Sequence, residues 1–176
     1  MSELVGPTLV IGLGNSIMGD DGLGLAALTR LERDWWCPPA VRLVDGGTWG
    51  LRLLPLFDEA ESVLLLDAID AGRAAGALIV VGRDDLPRVL GHKLSSHQVD
   101  VPEILALAEL RGTVPRRLVA MGLQPGRVAL STDLSPEVAD QMDSLVTAAV
   151  SQLVAWGHEV VPAPGGALPL EPAALR

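Results

Sequence analysis

Aspartate side chains cluster in the chain just after its short apolar segments, where they could do chemistry together. Five positions share this placement: Asp20, Asp21, Asp45, Asp67 and Asp70. Carboxylate oxygens bind divalent cations, and a partly buried carboxylate can also hold or transfer a proton. The residue types therefore predict a cation site or an acid–base site, provided that the fold brings these segment ends together.

Asp67 and Asp21 are the two strongest candidates among these acids. Asp67 directly follows the apolar run 63–66, so it lies at the mouth of a buried segment and needs a proton, a base or a metal as partner. The alternative is a capped turn formed with Asp70. Asp20 and Asp21 could likewise do no more than favour the positive end of a helix that begins at residue 22.

His97 could complete such a site, because one imidazole and two carboxylates leave metal positions open for water or substrate. A lone histidine is also compatible with a purely structural role. The other two histidines, His92 and His158, are predicted to lie on the surface. Cys37 stands between two tryptophans and two prolines with no histidine nearby in the sequence, so it is expected to be a passive, half-buried thiol.

The glycine-rich first loop does not fit a dinucleotide site. Gly12 and Gly14 begin the Gly-x-Gly-x-x-Gly pattern, but Ile17 occupies the place of the third glycine. Asp20 and Asp21 would also put negative charge where a pyrophosphate binds, so a cation fits this loop better than an anion.

Alternating β-type and helical segments must position these residues. The strands are predicted at residues 8–12, 41–44, 63–67, 77–81 and 117–121. The helices are predicted at residues 22–33, 51–57, 101–110 and 135–156, the last with Ser135 as its N-cap. This order is typical of an α/β three-layer sandwich: a twisted, mainly parallel sheet of about five strands with helices on both faces.

Ligands bind at the carboxyl edge of such a sheet, which is where the aspartates lie. Gln124 lies at the same edge and could orient a peptide backbone.

Length and charge narrow the class of protein. The 176 residues predict a single domain over 1–160, followed by a flexible tail rich in proline and glycine over 161–176. One cysteine and the lack of an export or membrane signal favour the cytoplasm. A net charge of −9 and an aromatic content of 3% are unfavourable for nucleic-acid binding, which needs basic surfaces and stacking side chains. Residues 1–70 hold 11 acids and 4 bases, so the acidic excess lies mainly in the part that carries the five aspartates.

A series of short motifs resembles the hydrogenase maturation endopeptidases. They occur in order along residues 8–157: GLGN at 12–15, GDDGLG at 19–24, DGGT at 45–48, LLDA at 65–68, KLSSHQ at 93–98, GLQP at 122–125 and LSP at 134–136. The combination is specific, although each motif alone is weak.

The resemblance implies a cytoplasmic protease that removes a short C-terminal extension from the precursor of a nickel–iron hydrogenase large subunit after nickel insertion. The family's metal-contacting acid in the first loop corresponds to Asp21, where many members have Glu. Its aspartate after the third strand corresponds to Asp67, and its histidine to His97. Asp45, Gly46 and Gly47 match a loop near the substrate and are expected, with Gln124, to support substrate binding.

The residues and the resemblance agree on a cation site but differ on the role of the metal. Residue types alone suggest a resident metal that activates water. The resemblance implies instead that nickel arrives in the precursor, because two carboxylates and one imidazole hold a divalent ion only loosely without thiolates from the substrate. Two other functions stay open: a non-catalytic nickel checkpoint protein and a small hydrolase with a resident metal. The protein is expected to act as a monomer, since a single domain with a large partner needs no self-association.

Overall fold

A computed structural model describes residues 6–48, 50–87 and 101–164 and contains a five-stranded sheet. Its strands are β1 (Thr8–Leu13), β3 (Val41–Gly47), β4 (Ser62–Ala68), β5 (Leu78–Gly82) and β6 (Arg117–Leu123). Their order across the sheet is β3-β1-β4-β6-β5, with only β5 antiparallel to its neighbour. The predicted mainly parallel sheet of about five strands is confirmed.

Helices cover both faces of the sheet, as predicted. They are α1 (Leu23–Asp34), α2 (Leu54–Asp58), α3 (Val101–Arg111), α4 (Pro136–Ala139) and α5 (Met142–Ala155), with 3₁₀ turns at Gly19–Gly22, Gly50–Leu53 and Arg83–Asp85. Alternate residues of each strand point to opposite faces. Val10, Leu64 and Leu66 pack with α1, α4 and α5 in one core. Leu9, Ile11 and Leu65 pack with α2 and α3 in the other.

A second, two-stranded sheet joins the end of α1 to the chain beyond α5. Here β2 (Trp35–Trp36) pairs antiparallel with β7 (Val161–Pro162), and the Ala163 amide donates to the Asp34 carbonyl over 2.9 Å. Thus the segment predicted as a tail begins with a short paired strand. Residues 165–176 lie outside the described residues, so the flexibility of the tail stays a prediction.

The last predicted helix is in fact two helices. Within α4 and α5 the amides bond to carbonyls four residues back, but the Gln141 amide bonds to the Val138 carbonyl, three residues back, over 3.1 Å. This tighter turn separates α4 from α5. Val138 and Met142, on either side of it, are both fully buried in the same core.

His158 is buried, so the prediction of a surface residue was wrong. After α5 the chain turns back at Gly157, and the His158 ring meets the Thr8 hydroxyl at the amino edge of the sheet, with Nε2 and Oγ1 2.7 Å apart. Burial lowers the pKa of His158, and the positive charge of Arg117 lowers it further. His92 lies outside the described residues.

Candidate functional site at the carboxyl edge of the sheet

Strand register brings the predicted site residues to one edge. Gly12 of β1 lies between Asp45 of β3 and Leu66 of β4, and Asp67 lies beside Gly122 of β6. The loops that leave β1, β3, β4 and β6 therefore start side by side. This is the edge at which α/β proteins bind their ligands.

Asp67 sits at the end of β4 with only 1% of its surface exposed. Its Oδ1 accepts a hydrogen bond from the Ala68 amide over 2.8 Å. Leu66 and Ala68 face the α1 side of the sheet, so Asp67 between them faces the α2 and α3 side. The neighbouring strand β6 lies very close to Asp67, since a Cβ on Gly122 would fall 1.9 Å from the Asp67 carbonyl oxygen. The predicted desolvated carboxylate at the mouth of a buried strand is confirmed.

Asp21 lies in the 3₁₀ turn Gly19–Gly22 and is half-buried. Its Oδ2 accepts a hydrogen bond from the Asn15 amide over 2.9 Å, which closes the loop on itself. Gly14 has a φ of +116°, and a Cβ there would fall 1.8 Å from the Asp21 carbonyl oxygen. Only glycine allows this approach.

Gly24, in the first turn of α1, lies against the ends of two strands. A Cβ on Gly24 would fall 2.2 Å from the Leu66 carbonyl oxygen and 2.4 Å from that of Leu13. Leu66 directly precedes Asp67, and Gly24 follows Asp21 by three residues. The start of α1, just after Asp21, therefore packs against the backbone that leads into Asp67.

Asp20 has a role that the sequence reasoning missed. It is fully buried and accepts four hydrogen bonds: from the amides of Gly126 (2.8 Å), Arg127 (2.7 Å) and Ser135 (2.6 Å), and from the Ser135 hydroxyl (2.7 Å). Burial alone would raise the pKa of Asp20, but the hydrogen bonds from Ser135, Arg127 and Gly126 outweigh it and hold the pKa below its ordinary value. Asp20 therefore ties the first loop to the loop after β6.

Ser135 precedes α4, as its assignment as an N-cap predicted, but its hydroxyl does not cap the helix. It donates to Asp20 instead, and no side-chain bond to the first turn of α4 is formed. The sequence signal for this arrangement is slight, because serine is common both as a helix N-cap and as a hydrogen-bond donor to a distant carboxylate.

The Asp45-Gly46-Gly47 segment continues β3 instead of ending it. Gly46 is buried, and a Cβ there would fall 2.6 Å from Ile11 Cγ2. The Gly47 carbonyl accepts the Gly14 amide over 2.9 Å, so this segment supports the first loop, while Asp45 is exposed at the edge. Substrate binding by these three residues stays a prediction.

Gln124 does orient a peptide backbone, but that of its own chain. Its side-chain oxygen accepts the amides of Ala71 (2.9 Å) and Arg73 (3.1 Å), and its Nε2 donates to Asp70 Oδ1 over 3.0 Å. Asp70 also accepts the Gly72 amide over 3.1 Å, so it stabilises the turn after β4. A contact of Gln124 with substrate stays a prediction.

His97, the third candidate ligand, lies outside the described residues. Across residues 6–48, 50–87 and 101–164, no three acidic, histidine or cysteine side chains are grouped closely enough to hold a metal ion. None of the helices in these ranges is long and apolar enough to cross a membrane. Cys37 is half-buried, and burial raises the pKa of its thiol, which agrees with a passive role.

Comparison with known proteins identifies the family. A family model for HycI, hydrogenase maturation protease, matches residues 26–152. The hydrogenase expression/formation protein HupD of Rhodobacter capsulatus is 40% identical over 154 residues, which cover 86% of this chain and 73% of that protein. The hydrogenase 2 maturation protease of Escherichia coli is 26% identical over 155 residues, covering 88% of this chain and 94% of the relative.

A solved structure shows the same architecture. The hydrogenase maturating endopeptidase HybD from Escherichia coli superimposes with a TM-score of 0.84 and 26% identity, over 89% of this chain and 97% of that one. Its fold agrees with the sheet and helices described above. The chain belongs to the hydrogenase maturation protease family and is an endopeptidase of that family.

Proposed function

We propose that this endopeptidase removes the C-terminal extension of a nickel–iron hydrogenase large-subunit precursor after nickel insertion, as a monomer in the cytoplasm. It recognises the nickel in the precursor through Asp21, Asp67 and His97. The observation that carries the proposal is the packing of Gly24, three residues after Asp21, against the Leu66 carbonyl at the end of β4, which supports two acids at one edge of the sheet.

The burial of Asp67 supports a role in cation recognition. A carboxylate that is 1% exposed attracts a cation more strongly than one in bulk water, because fewer water dipoles screen the charge. Asp21 is more accessible, and it is fixed by the Asn15 amide. The pair thus combines a fixed, accessible ligand with a desolvated one.

The sequence position of His97 supports its role as the third ligand. It precedes α3 by four residues, and α3 packs on the face of the sheet to which Asp67 points. Asp21, Asp67 and His97 would supply three ligands, so the precursor has to supply the remaining nickel ligands. Cleavage then depends on metal loading, because an empty precursor offers these side chains nothing to bind.

The test compares nickel-loaded with nickel-free precursor by intact-protein mass spectrometry. We expect loss of the C-terminal peptide only from the loaded form. Asp21→Asn, Asp67→Asn and His97→Ala should abolish cleavage, whereas Asp143→Asn, at an exposed carboxylate on α5, should not. Circular dichroism checks that each variant folds.

Each other outcome has a defined meaning. Equal cleavage of nickel-free precursor, or normal cleavage by Asp21→Asn, contradicts nickel recognition by these residues. A stable complex with unchanged precursor mass favours the checkpoint protein. Stoichiometric metal that survives dialysis of the isolated protein favours the hydrolase with a resident metal.

A further inference from the structure

Three exposed apolar side chains lie on the two loops that follow β1 and β6. Ile17 is 52% exposed, Val128 53% and Leu130 81%. We call these three residues the apolar loop surface. Single exposed apolar residues are ordinary, but three on one pair of loops at a ligand-binding edge indicate a surface for a partner.

The two loops form one hydrogen-bonded unit. The Ser131 amide donates to the Ile17 carbonyl over 3.0 Å, and the Gly19 amide donates to the Ser131 carbonyl over 2.7 Å. Asp20 adds its bonds to Gly126 and Arg127. Because the backbone on both sides of the surface is already fixed, a partner that binds here has little ordering entropy to overcome.

The apolar loop surface is joined to the proposed nickel site through Asn15. The Asn15 amide donates to Asp21, and the Asn15 side-chain oxygen accepts the Ile17 amide over 3.2 Å. One residue therefore fixes both Asp21 and Ile17. A macromolecule whose metal centre reaches Asp21 has to lie next to Ile17.

We infer that the apolar loop surface binds an apolar segment of the large-subunit precursor and holds it while its metal centre is presented to Asp21. This inference rests on the proposed function for the identity of the partner. Exposed Arg127, next to Val128, favours a segment with an acidic residue at its border. The surface contributes to affinity for the precursor and takes no part in the chemical step.

The experiment uses a matched pair of leucines. Leu130 and Leu110 are 81% and 85% exposed, so both leave the core untouched when they are replaced. Leu110 lies near the end of α3, beside Arg111. The Arg111 guanidinium donates to Asp58, a few residues before β4 begins, so Leu110 lies at the opposite edge of the sheet. Leu130→Ser, Val128→Ser with Leu130→Ser, and Leu110→Ser are compared with the unmodified protein.

Binding of purified nickel-loaded precursor is measured by calorimetry with each variant combined with Asp67→Asn, which prevents cleavage, and KM and kcat are measured by cleavage with Asp67 intact. We expect the double variant to raise both Kd and KM at least about tenfold with kcat unchanged, as for the central contacts of an interface. Leu110→Ser should behave like the unmodified protein. Thermal unfolding should be unaffected in all variants, and Leu130→Lys provides a second test should the double variant unfold early.

Unchanged binding in the loop variants overturns the inference, and so does an equal loss of binding in Leu110→Ser. If the precursor is never cut but still binds more weakly to the loop variants, the apolar loop surface is supported and the proposed function fails. If the loop variants cut the nickel-loaded precursor with an unchanged KM, the proposed function is supported and this inference fails.

Discussion

Replacing Asp20 by Asn changes one buried oxygen to an amide nitrogen and removes the charge that receives four hydrogen bonds. Three of the donors, the amides of Gly126 and Arg127 and the Ser135 hydroxyl, reach Oδ2, and the Ser135 amide reaches Oδ1. Whichever way the new side chain turns, its amide nitrogen faces at least one backbone N–H. At least one buried donor is then left without an acceptor.

The expected loss of stability follows from these contacts. A buried donor without an acceptor costs about 1–3 kcal/mol, and bonds to a neutral acceptor contribute roughly half as much as bonds to a charged one. A neutral amide is cheaper to bury than a carboxylate, which offsets part of the loss. We therefore expect Asp20→Asn to lower the free energy of unfolding by about 3 kcal/mol, and Ser135→Ala, which removes only the hydroxyl, by about 1 kcal/mol.

Urea unfolding at several pH values tests this explanation. The folded protein holds the pKa of Asp20 below its ordinary value, so the stabilisation is present above the unfolded pKa and is lost as the pH falls through the folded pKa. The stability gap between the unmodified protein and Asp20→Asn should be constant from pH 7 to about 5 and should narrow below about pH 4. A gap under about 0.5 kcal/mol at pH 7, or one that widens in acid, would refute the reasoning.

Two further predictions concern other parts of the fold. Burial and the charge of Arg117 lower the pKa of His158 in the folded protein, so the unfolded chain takes up a proton at a higher pH than the folded one. The free energy of unfolding should therefore fall as the pH drops below about 6.5. Urea unfolding of His158→Gln, whose side chain can still bond to Thr8, should not show this pH dependence. Gly24→Ala should cost about 3 kcal/mol or more, since its Cβ would overlap two backbone carbonyls, whereas Gly82→Ala, with open space around it, should change the free energy of unfolding by less than about 0.5 kcal/mol. Equal effects of the two glycine variants would contradict the packing argument.

The sheet could be predicted from the sequence because its strands carry a strong local signal. The run of apolar residues before Asp67 is buried on both faces, and such a run is typical of a central strand. The acids at the strand ends then follow from topology, since parallel strands have their carboxyl ends at one edge. Asp21 and Asp67 could therefore be assigned to the same edge before any geometry was known.

The structure differs from the sequence-based predictions at residues whose roles depend on distant parts of the chain. Asp45, Gly46 and Gly47 have the composition of a turn, yet pairing with β1 and packing against Ile11 keep them in β3. His158 has polar neighbours in sequence, but it is buried because the chain after α5 returns to Thr8. Asp20 and Ser135 each carry a local capping signal, and tertiary contact redirects both side chains toward each other.

The hydrogen bonds of Asp20 join residues that are 106, 107 and 115 positions apart in the sequence. Contacts between residues so far apart in the sequence carry a large loop-closure entropy, which slows folding. The loop that carries Asp21 has its final neighbours only when β6 and the start of α4 are in place. The segment up to β4 therefore contains Asp21 and Asp67 but not the donors from residues 126, 127 and 135 that hold the first loop in place.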